Sequence, residues 1–319
     1  MKRLLASLAL AAFAAAASAQ NYPSQSLRMI VAFPPGGGAD VAARILALEL
    51  GRELGQSIVV ENVGGAGGQI GATRAAQSPA DGYTLFLGTP STHGTNPAVY
   101  AKLTYDPIKD FAPIALVGSS PFMLITRADL KVASVKDLLS EAKAHPGQLN
   151  YASYGNGSIN HLIGELFLSM ADIKAVHVPY KGGAPALADL VAGRVDFTFD
   201  GSAALGQVRS GKAKVLAVGS PQRWSVLPEV PTVAEAGVPG FEAFTWYALF
   251  APAATPKSIV DFLNAKVNAT LQTPSAKEQF AKQSIDLIGG TPTALAQHVQ
   301  KEIAKWVSVA KAKHITITD

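Results

Sequence analysis

Residues 29–44, MIVAFPPGGGADVAAR, decide how this chain folds. An apolar run is followed by the loop sequence PPGGG, and an apolar pattern of helical period begins after it, which is typical of a strand, a tight loop and a helix. We expect Asp40 to be the N-cap of this helix. Val41, Ile45 and Leu48 then share its apolar face, which Leu46, Leu50 and Leu54 extend until Gly55 ends the helix. Because glycines let a ligand approach backbone N–H groups at a helix start, the stretch predicts an anion-binding site.

The glycines in this stretch allow two other interpretations. A dinucleotide-binding loop needs the spacing G-x-G-x-x-G and an acidic residue about 20 positions later. Gly36 and Gly38 supply the first two glycines and Glu61 follows the next apolar run, but Val41 stands where the third glycine is required. A turn that serves chain geometry alone is the other alternative.

The first 19 residues have the pattern of a secretory signal. Lys2 and Arg3 precede an apolar run, and Ala17, Ser18 and Ala19 form an A-x-A cleavage site. The run is shorter than the roughly 18 residues that span a membrane. We therefore expect export and cleavage after Ala19.

Charge and cysteine content narrow the class of protein. The chain of 319 residues has 27 Lys and Arg against 23 Asp and Glu, and loss of the signal leaves 25 against 23. So small an excess gives no reason to expect nucleic acid or an anionic membrane as a partner. No cysteine is present, which excludes a thiolate nucleophile and a lipid-modified cysteine. A free periplasmic protein fits these facts, and its length predicts two domains.

Short strands continue to alternate with helices after the opening stretch. The runs at 57–61 and 83–87 are β-rich, and a helical pattern covers 70–77. This order predicts parallel βαβ units in an open, doubly wound α/β sheet, in which ligands lie beyond the carboxyl ends of the strands. The loops 34–38 and 89–96 follow such ends. Ser91 and Thr92 in the second of these loops are therefore candidate ligand-binding residues.

The same design recurs in the middle of the chain. A helix is predicted over 134–144 with Ser134 as its N-cap. A strand at 149–152 then leads into SYGNGS, and a helix is predicted from Ile159 to Met170 with Ser158 as its N-cap. His161 in the first turn is either a structural hydrogen-bonding residue or a ligand contact. Asp200, which follows the strand 195–199, either accepts a hydrogen bond from a ligand or caps the next helix.

The last third of the chain contains a return crossing and the closing helices. A short helix is predicted over 227–236, FTWYALFA at 244–251 reads as a strand that returns to the first domain, and helices follow at 257–271, 275–283 and 293–312. Strand and helix patterns also restart near Ile114. We therefore predict two lobes, one of residues 20–126 and 245–319 and the other of residues 127–244.

With these residues in place, the chain resembles the Bug family of periplasmic solute receptors of tripartite tricarboxylate transporters. The resemblance runs through YPSQSLRMIVAFPPGGGADVAAR, NYASYGNGSINHLIGELF, VPYKGGAPALADLVAGRVDF and LPEVPTVAEAGVPGFEAFTWYALFAPAATP. It implies a two-lobed flytrap with a discontinuous first lobe, which binds a small carboxylate through backbone groups and ordered waters. It also implies membrane components of such a transporter as partners, in transport or in signalling, with the receptor itself a monomer.

The resemblance also assigns positions to the ligand site. They lie in three loops and one strand end: Phe33, Pro34, Pro35, Gly36, Gly37 and Gly38; Ser153, Tyr154, Gly155, Asn156, Gly157 and Ser158 with His161; Tyr180 and Gly182; and Asp200. The position of Asp200 contacts amino groups in the members that bind amino acids. Here the run FTFDGSAAL departs from the commoner family pattern, which has a following asparagine.

Two enzyme classes remain as alternatives. A secreted hydrolase could use Ser158, His161 and Asp200 as a triad, although Ser158 lacks the following x-G of a nucleophile elbow and shares a helical turn with His161. A nucleotide-linked enzyme is opposed by export and by the missing third glycine. We expect no catalysis, no cofactor and no metal, and a ligand carboxylate held between the loops 34–38 and 153–158.

Overall fold

A computed structural model describes residues 22–317, so the predicted signal and its cleavage site lie outside the described residues. The strands are β1 (Leu27–Val31), β2 (Ile58–Asn62), β3 (Thr84–Gly88), β4 (Phe111–Pro121), β5 (Met123–Arg127), β6 (Asn150–Ser153), β7 (Val176–Pro179), β8 (Phe197–Asp200), β9 (Ala213–Val218), β10 (Phe244–Pro252) and β11 (Asp286–Leu287). The α-helices are α1 (Gly38–Leu54), α2 (Gln69–Ala76), α3 (Asn96–Val99), α4 (Val135–Ala144), α5 (Ile159–Ala171), α6 (Gly183–Val191), α7 (Leu205–Arg209), α8 (Lys257–Gln272), α9 (Pro274–Lys282) and α10 (Pro292–Ala312). None of these helices is long and apolar enough to cross a membrane.

The first lobe is built on a six-stranded sheet with the order β11-β4-β10-β3-β1-β2. β1 pairs in parallel with β2 and β3, as the βαβ pattern predicts. β10 is antiparallel to both β3 and β4. β10 runs opposite to β4 because β10 brings the chain back from the second lobe, whereas β4 carries the chain towards that lobe. The sheet is therefore mixed rather than wholly parallel.

The second lobe is built on a five-stranded sheet with the order β7-β6-β8-β5-β9. β6 pairs in parallel with β7 and β8, while β5 is antiparallel to β8 and β9. β4 ends at Pro121 in one sheet and β5 begins at Met123 in the other, so the chain passes between the lobes at Phe122. The predicted α/β class with two sheets and a discontinuous first lobe is confirmed.

Both sheets are covered on both faces. In the first lobe Met29 and Val31 pack towards α1, α8 and α9, and Ile30 packs on the opposite face with α2 and α10. This alternation along β1 is the period-2 pattern of a strand with two buried faces. In the second lobe α4 and α5 cover one face and α6 and α7 the other.

Helix α10 packs on both lobes. Leu295 and Val299 near its start belong to the core of the first lobe. Trp306 and Val309 further along belong to the core that contains α5. Buried Glu302 accepts hydrogen bonds from the indole N–H groups of Trp246 and Trp306, at 3.2 and 3.1 Å. α10 therefore ties β10 to the second lobe.

Three local expectations are wrong. The N-cap of α1 is Gly37, and Asp40 lies inside the first turn. The predicted apolar face of α1 is right for Leu46 and Leu50, which are buried with several alanines, but wrong for Leu48, which is 54% exposed. Residues 227–236 form turns instead of a helix: Thr232 and Glu235 bond to each other as at a helix start, but two prolines precede Thr232 and the chain leaves the helical conformation at Gly237, whose φ is +130°. The N-caps Ser134 and Ser158 are confirmed.

Candidate functional site

A cavity of about 750 Å³ lies where loops of the two lobes meet. It is lined by Phe33, Pro34, Pro35, Gly37, Gly38, Ala39, Thr89, Pro90, Ser91, Phe122, Tyr154, Ile159, Gly183, Thr245 and Tyr247. A depression of about 850 Å³ beside α2 is larger, but first-lobe residues alone line it. The cavity between the lobes is therefore the place where a bound molecule would contact both lobes.

The N-terminus of α1 opens into this cavity. Gly37 is the N-cap and has no side chain to accept a hydrogen bond from the first turn. The loop before it turns at Gly36, whose φ of +85° favours glycine. Since the N–H groups of a first helical turn lack partners within the helix, this end provides donors and partial positive charge for an anion.

Asp40 fixes the shape of the loop 34–38 from behind. Its carboxylate accepts hydrogen bonds from the backbone N–H of Gly36 and from the amide of Asn62, both at 2.9 Å. Arg44 pairs with both carboxylate oxygens, at 2.9 and 3.0 Å. These hydrogen bonds, first of all that of Arg44, lower the pKa of Asp40 to about 2. Asn62 also donates to the carbonyl of Phe33, which joins the loop to the end of β2.

Tyr247 brings a hydroxyl group from β10 to the start of α1. A methyl group placed on Gly38 would come within 2.7 Å of the Tyr247 hydroxyl oxygen. The side chain is 93% buried, and burial raises its pKa to about 12. The hydroxyl is therefore protonated at every physiological pH and can donate a hydrogen bond.

The second lobe contributes Tyr154 and, behind it, Asp200. The Tyr154 hydroxyl donates to one oxygen of Asp200 at 2.7 Å. The other oxygen of Asp200 is buried and has no partner among the described residues. Burial raises the pKa of this carboxyl to about 6. Asp200 does not cap the turn that follows, since no side chain does so.

The loop 153–158 uses its own donors internally. The N–H of Gly155 donates to Ser153, that of Gly157 to His161 Nδ1, and that of His161 to Ser158 Oγ. The Ser158 hydroxyl donates to the carbonyl of Gly155 at 2.7 Å. Because these N–H and O–H groups already have partners, the loop 153–158 has fewer free hydrogen-bond donors for an anion than the loop 34–38 has.

His161 and Tyr180 have structural partners away from the cavity lining. The ring of His161 stacks on His177 with centroids 3.8 Å apart, and burial lowers the pKa of both rings. His177 in turn contacts the Ser153 hydroxyl at 2.6 Å. The Tyr180 hydroxyl donates to Asp189 on α6.

The structure brings together only part of the predicted site. The predicted residues that line the cavity are Phe33, Pro34, Pro35, Gly37, Gly38, Ser91 and Tyr154. The others lie outside its lining: Gly36, Thr92, Ser153, Gly155, Asn156, Gly157, Ser158, His161, Tyr180, Gly182 and Asp200. Sequence reasoning missed the other eight lining residues: Ala39, Thr89, Pro90, Phe122, Ile159, Gly183, Thr245 and Tyr247. Phe122, Thr245 and Tyr247 lie where the chain crosses between the lobes, so recognition of the crossing FTWYALFA was the signal that could have found Thr245 and Tyr247.

The lining determines what the cavity can do. Within residues 22–317, the lining consists of aromatic and aliphatic surface with a few hydroxyl groups and contains no Lys or Arg. Ser158 and His161 do not form a nucleophile and base, because His161 Nδ1 accepts from Gly157 and the Ser158 hydroxyl is bonded within its own loop. The arrangement suits reversible binding of an anion by backbone and hydroxyl donors.

The chain is similar to known proteins over nearly its whole length. The sequence profile of the tripartite tricarboxylate transporter family receptor, TctC, matches residues 42–315. The protein BugT of Bordetella pertussis is 39% identical over 317 residues, which cover 98% of this chain and 97% of BugT. The structure of Rpa4515 from R. palustris with adipate is 40% identical with a TM-score of 0.80, over 93% of this chain and 100% of that one. The structure of the periplasmic binding protein BugD is 34% identical with a TM-score of 0.75, over 93% of this chain and 100% of that one.

Proposed function

The chain belongs to the tripartite tricarboxylate transporter receptor family, and from this premise we propose that it captures a small carboxylate in the cavity between its lobes. It is a solute-binding receptor of the periplasm and not an enzyme. The receptor would deliver the bound acid to the membrane components of a tripartite tricarboxylate-type transporter, or it would act in signalling. Rpa4515 holds adipate, which makes a dicarboxylate of that size the first probe.

One observation carries the proposal. The uncapped N-terminus of α1, at Gly37 and Gly38, opens into a cavity that both lobes line. An anion at such a helix end gains roughly 0.3 to 1 kcal/mol, and up to about 2 kcal/mol when partly buried. A ligand that contacts both lobes at once would favour the closed arrangement, because its contacts with each lobe are made together only there.

We propose that the loop 34–38 is the principal carboxylate site and that the loop 153–158 shapes the opposite wall. Tyr154 and Ile159 provide that wall from the second lobe. Ser91 adds a hydroxyl group from the loop after β3. Asp200 acts through Tyr154, since it lies behind the cavity lining. The recognition of the anion is then largely a property of backbone groups, which fits a cavity without Lys or Arg.

The sequence-based division into lobes, residues 20–126 with 245–319 against 127–244, is part of the proposal. Strand membership supports the discontinuous first lobe, but β5 (Met123–Arg127) pairs in the second sheet, so we propose Phe122 as the first crossing instead of a boundary after residue 126. We also propose cleavage after Ala19 and a monomeric receptor. The intact mass of protein purified from the periplasm tests the cleavage, and sedimentation velocity tests the monomer.

Native mass spectrometry of freshly purified protein tests the function. We expect a co-purified small acid that is released on denaturation, and titration calorimetry with adipate and with the identified acid then gives affinities. Incubation with the same acid checks for turnover. Failure of every carboxylate to bind, or conversion of the bound acid into a product, would overturn the receptor proposal.

A further inference from the structure

The cavity differs from an ordinary site for a highly hydroxylated acid. Its walls are formed mainly by Phe33, the prolines of the loop 34–38, Phe122 and Ile159. Such surfaces leave a ligand hydroxyl without a hydrogen-bond partner once water is excluded, and an unpaired buried hydroxyl is costly.

The polar groups of the lining are concentrated at one end. Thr89, Ser91, Thr245 and Tyr247 all belong to the first lobe, on the same side as the N-terminus of α1. Thr89 is only 5% exposed, and its buried hydroxyl oxygen has no hydrogen-bond partner among the described residues. Because that oxygen has almost no accessible surface, Ser91, Thr245 and Tyr247 are the hydroxyl residues of this end that remain for a ligand.

At the opposite end the hydroxyl of the lining is already used within the protein. The Tyr154 hydroxyl donates to Asp200 at 2.7 Å, so it is not free to donate to a ligand. The arrangement is thus directional, with donors at the first lobe and apolar surface between the two ends.

We propose that the cavity selects a carboxylic acid with an apolar body over its hydroxylated counterpart, and that the Tyr247 hydroxyl donates to the carboxylate at the start of α1. This inference rests on the proposed function and names its substrate class. Tyr247 is then a ligand-contacting residue, supplied by the strand that returns between the lobes.

Two matched ligand pairs test the substrate class by titration calorimetry. Galactarate is adipate with four added hydroxyl groups, and gluconate is hexanoate with five. We expect adipate or hexanoate to bind at least roughly 100-fold more tightly than its hydroxylated partner, since each added hydroxyl would be buried without a partner. Equal or tighter binding of galactarate or gluconate overturns the inference, and so does failure of both apolar acids to bind. A co-purified acid found by mass spectrometry still supports the receptor function in that case, so the two failures are distinguishable.

Substitution of Tyr247 tests the hydroxyl. Tyr247→Phe removes only the oxygen, and we expect affinity for the apolar acid that binds to fall roughly 10- to 100-fold, as for one hydrogen bond to a charged group. Tyr83→Phe is the matched control, because Tyr83 is not part of the lining, and it is expected to leave the affinity unchanged. Wild-type affinity in Tyr247→Phe contradicts the assigned contact.

Gly38→Ala provides an independent route to the same hydroxyl. Its added methyl group would displace the Tyr247 oxygen, which would lie 2.7 Å away. We expect Gly38→Ala to weaken binding in the wild-type background but to have little further effect in Tyr247→Phe, where that oxygen is gone. Additive losses would show that Tyr247 does not act through its position at the helix start. Thermal melting of each variant checks that it is folded.

Discussion

We expect Asp40 to contribute more to the free energy of unfolding than an ordinary ion pair between residues four apart on a helix does. Its side chain is 4% exposed, and it joins the N–H of Gly36, the amide of Asn62 and the guanidinium of Arg44. The change Asp40→Ala removes all three interactions at once. Buried hydrogen bonds to a charged group contribute roughly 1.5 to 3 kcal/mol each, whereas an ion pair with a half-exposed partner contributes under about 1 kcal/mol.

We expect Asp40→Ala to lower the free energy of unfolding by about 3 kcal/mol, because Gly36 and Asn62 can recover part of their hydrogen bonding from water. Thermal melting followed by circular dichroism would then show a loss of roughly 5 to 10 °C. Ligand affinity should fall as well, since the loop 34–38 loses the contact that holds its turn.

The matched control is Asp261→Ala. Asp261 also pairs with a basic residue four positions away in a helix, Lys257, but its side chain is 52% exposed. Such a pair contributes about 0.5 kcal/mol or less. If Asp40→Ala destabilises the protein no more than Asp261→Ala, the reasoning about the buried carboxylate is refuted.

The pH dependence gives a second check on Asp40. The pKa is lowered from 3.8 to about 2 in the folded protein. A group whose folded pKa is the lower one stabilises the fold above its unfolded pKa and loses this effect as pH falls towards the folded value. The difference between wild type and Asp40→Ala should therefore be full at pH 7 and shrink between pH 4 and pH 2. A difference that stays constant over that window would contradict the assignment.

Three further predictions follow from other contacts. Burial raises the pKa of Asp200 to about 6, so the folded state binds its proton more tightly than the unfolded state, and the free energy of unfolding falls as pH rises from 4 to 6. Urea unfolding of Asp200→Asn should therefore show a free energy that depends less on pH than that of the wild type. Parallel pH profiles of the two proteins would refute this. Gly37→Val should reduce ligand affinity in calorimetry more than Asp200→Asn does, and Ser158→Thr should have a mild effect. Gly37→Val should leave the melting temperature nearly unchanged, because φ at Gly37 is −78° and an added Cβ meets only the Pro34 carbonyl, at 3.7 Å. Unchanged affinity in Gly37→Val would refute the backbone site. Glu302→Ala should cost about 2 to 4 kcal/mol in urea unfolding, since it leaves two buried indole N–H groups without their acceptor; a loss below 1 kcal/mol would contradict that role.

The regular elements could be predicted because their determinants are local. Ser134 and Ser158 cap α4 and α5 as the sequence indicates, and the alternation along β1 shows directly which residues face each side of the sheet. The helix expected over 227–236 does not form, although Thr232 and Glu235 bond to each other as a capping box does at a helix start. Two prolines precede Thr232, and Gly237, with a φ of +130°, ends the helical conformation after a single turn.

The site was harder to predict because its parts are distant in the sequence. The loops after β1 and β3 could be selected, since ligands lie at the carboxyl ends of parallel strands. Tyr247 lies about 200 positions from Gly38 and contacts it only because β10 returns between β3 and β4. The loop 153–158 has the composition of an anion site, yet its donors are satisfied internally by Ser153, Ser158 and His161. Composition does not reveal such internal bonding.

The position of Asp40 links the fold to the function. As the N-cap, which the sequence suggested, its carboxylate would accept from the first-turn N–H groups and occupy the place of a ligand anion. Asp40 instead lies three residues after the N-cap, and its carboxylate accepts from the N–H of Gly36, outside the helix. The N-cap is Gly37, which has no side chain. The same carboxylate therefore holds the loop in shape while leaving the helix end open to the cavity. A receptor that recognises an anion without Lys or Arg in its lining depends on this separation between the group that shapes the loop and the groups that bind.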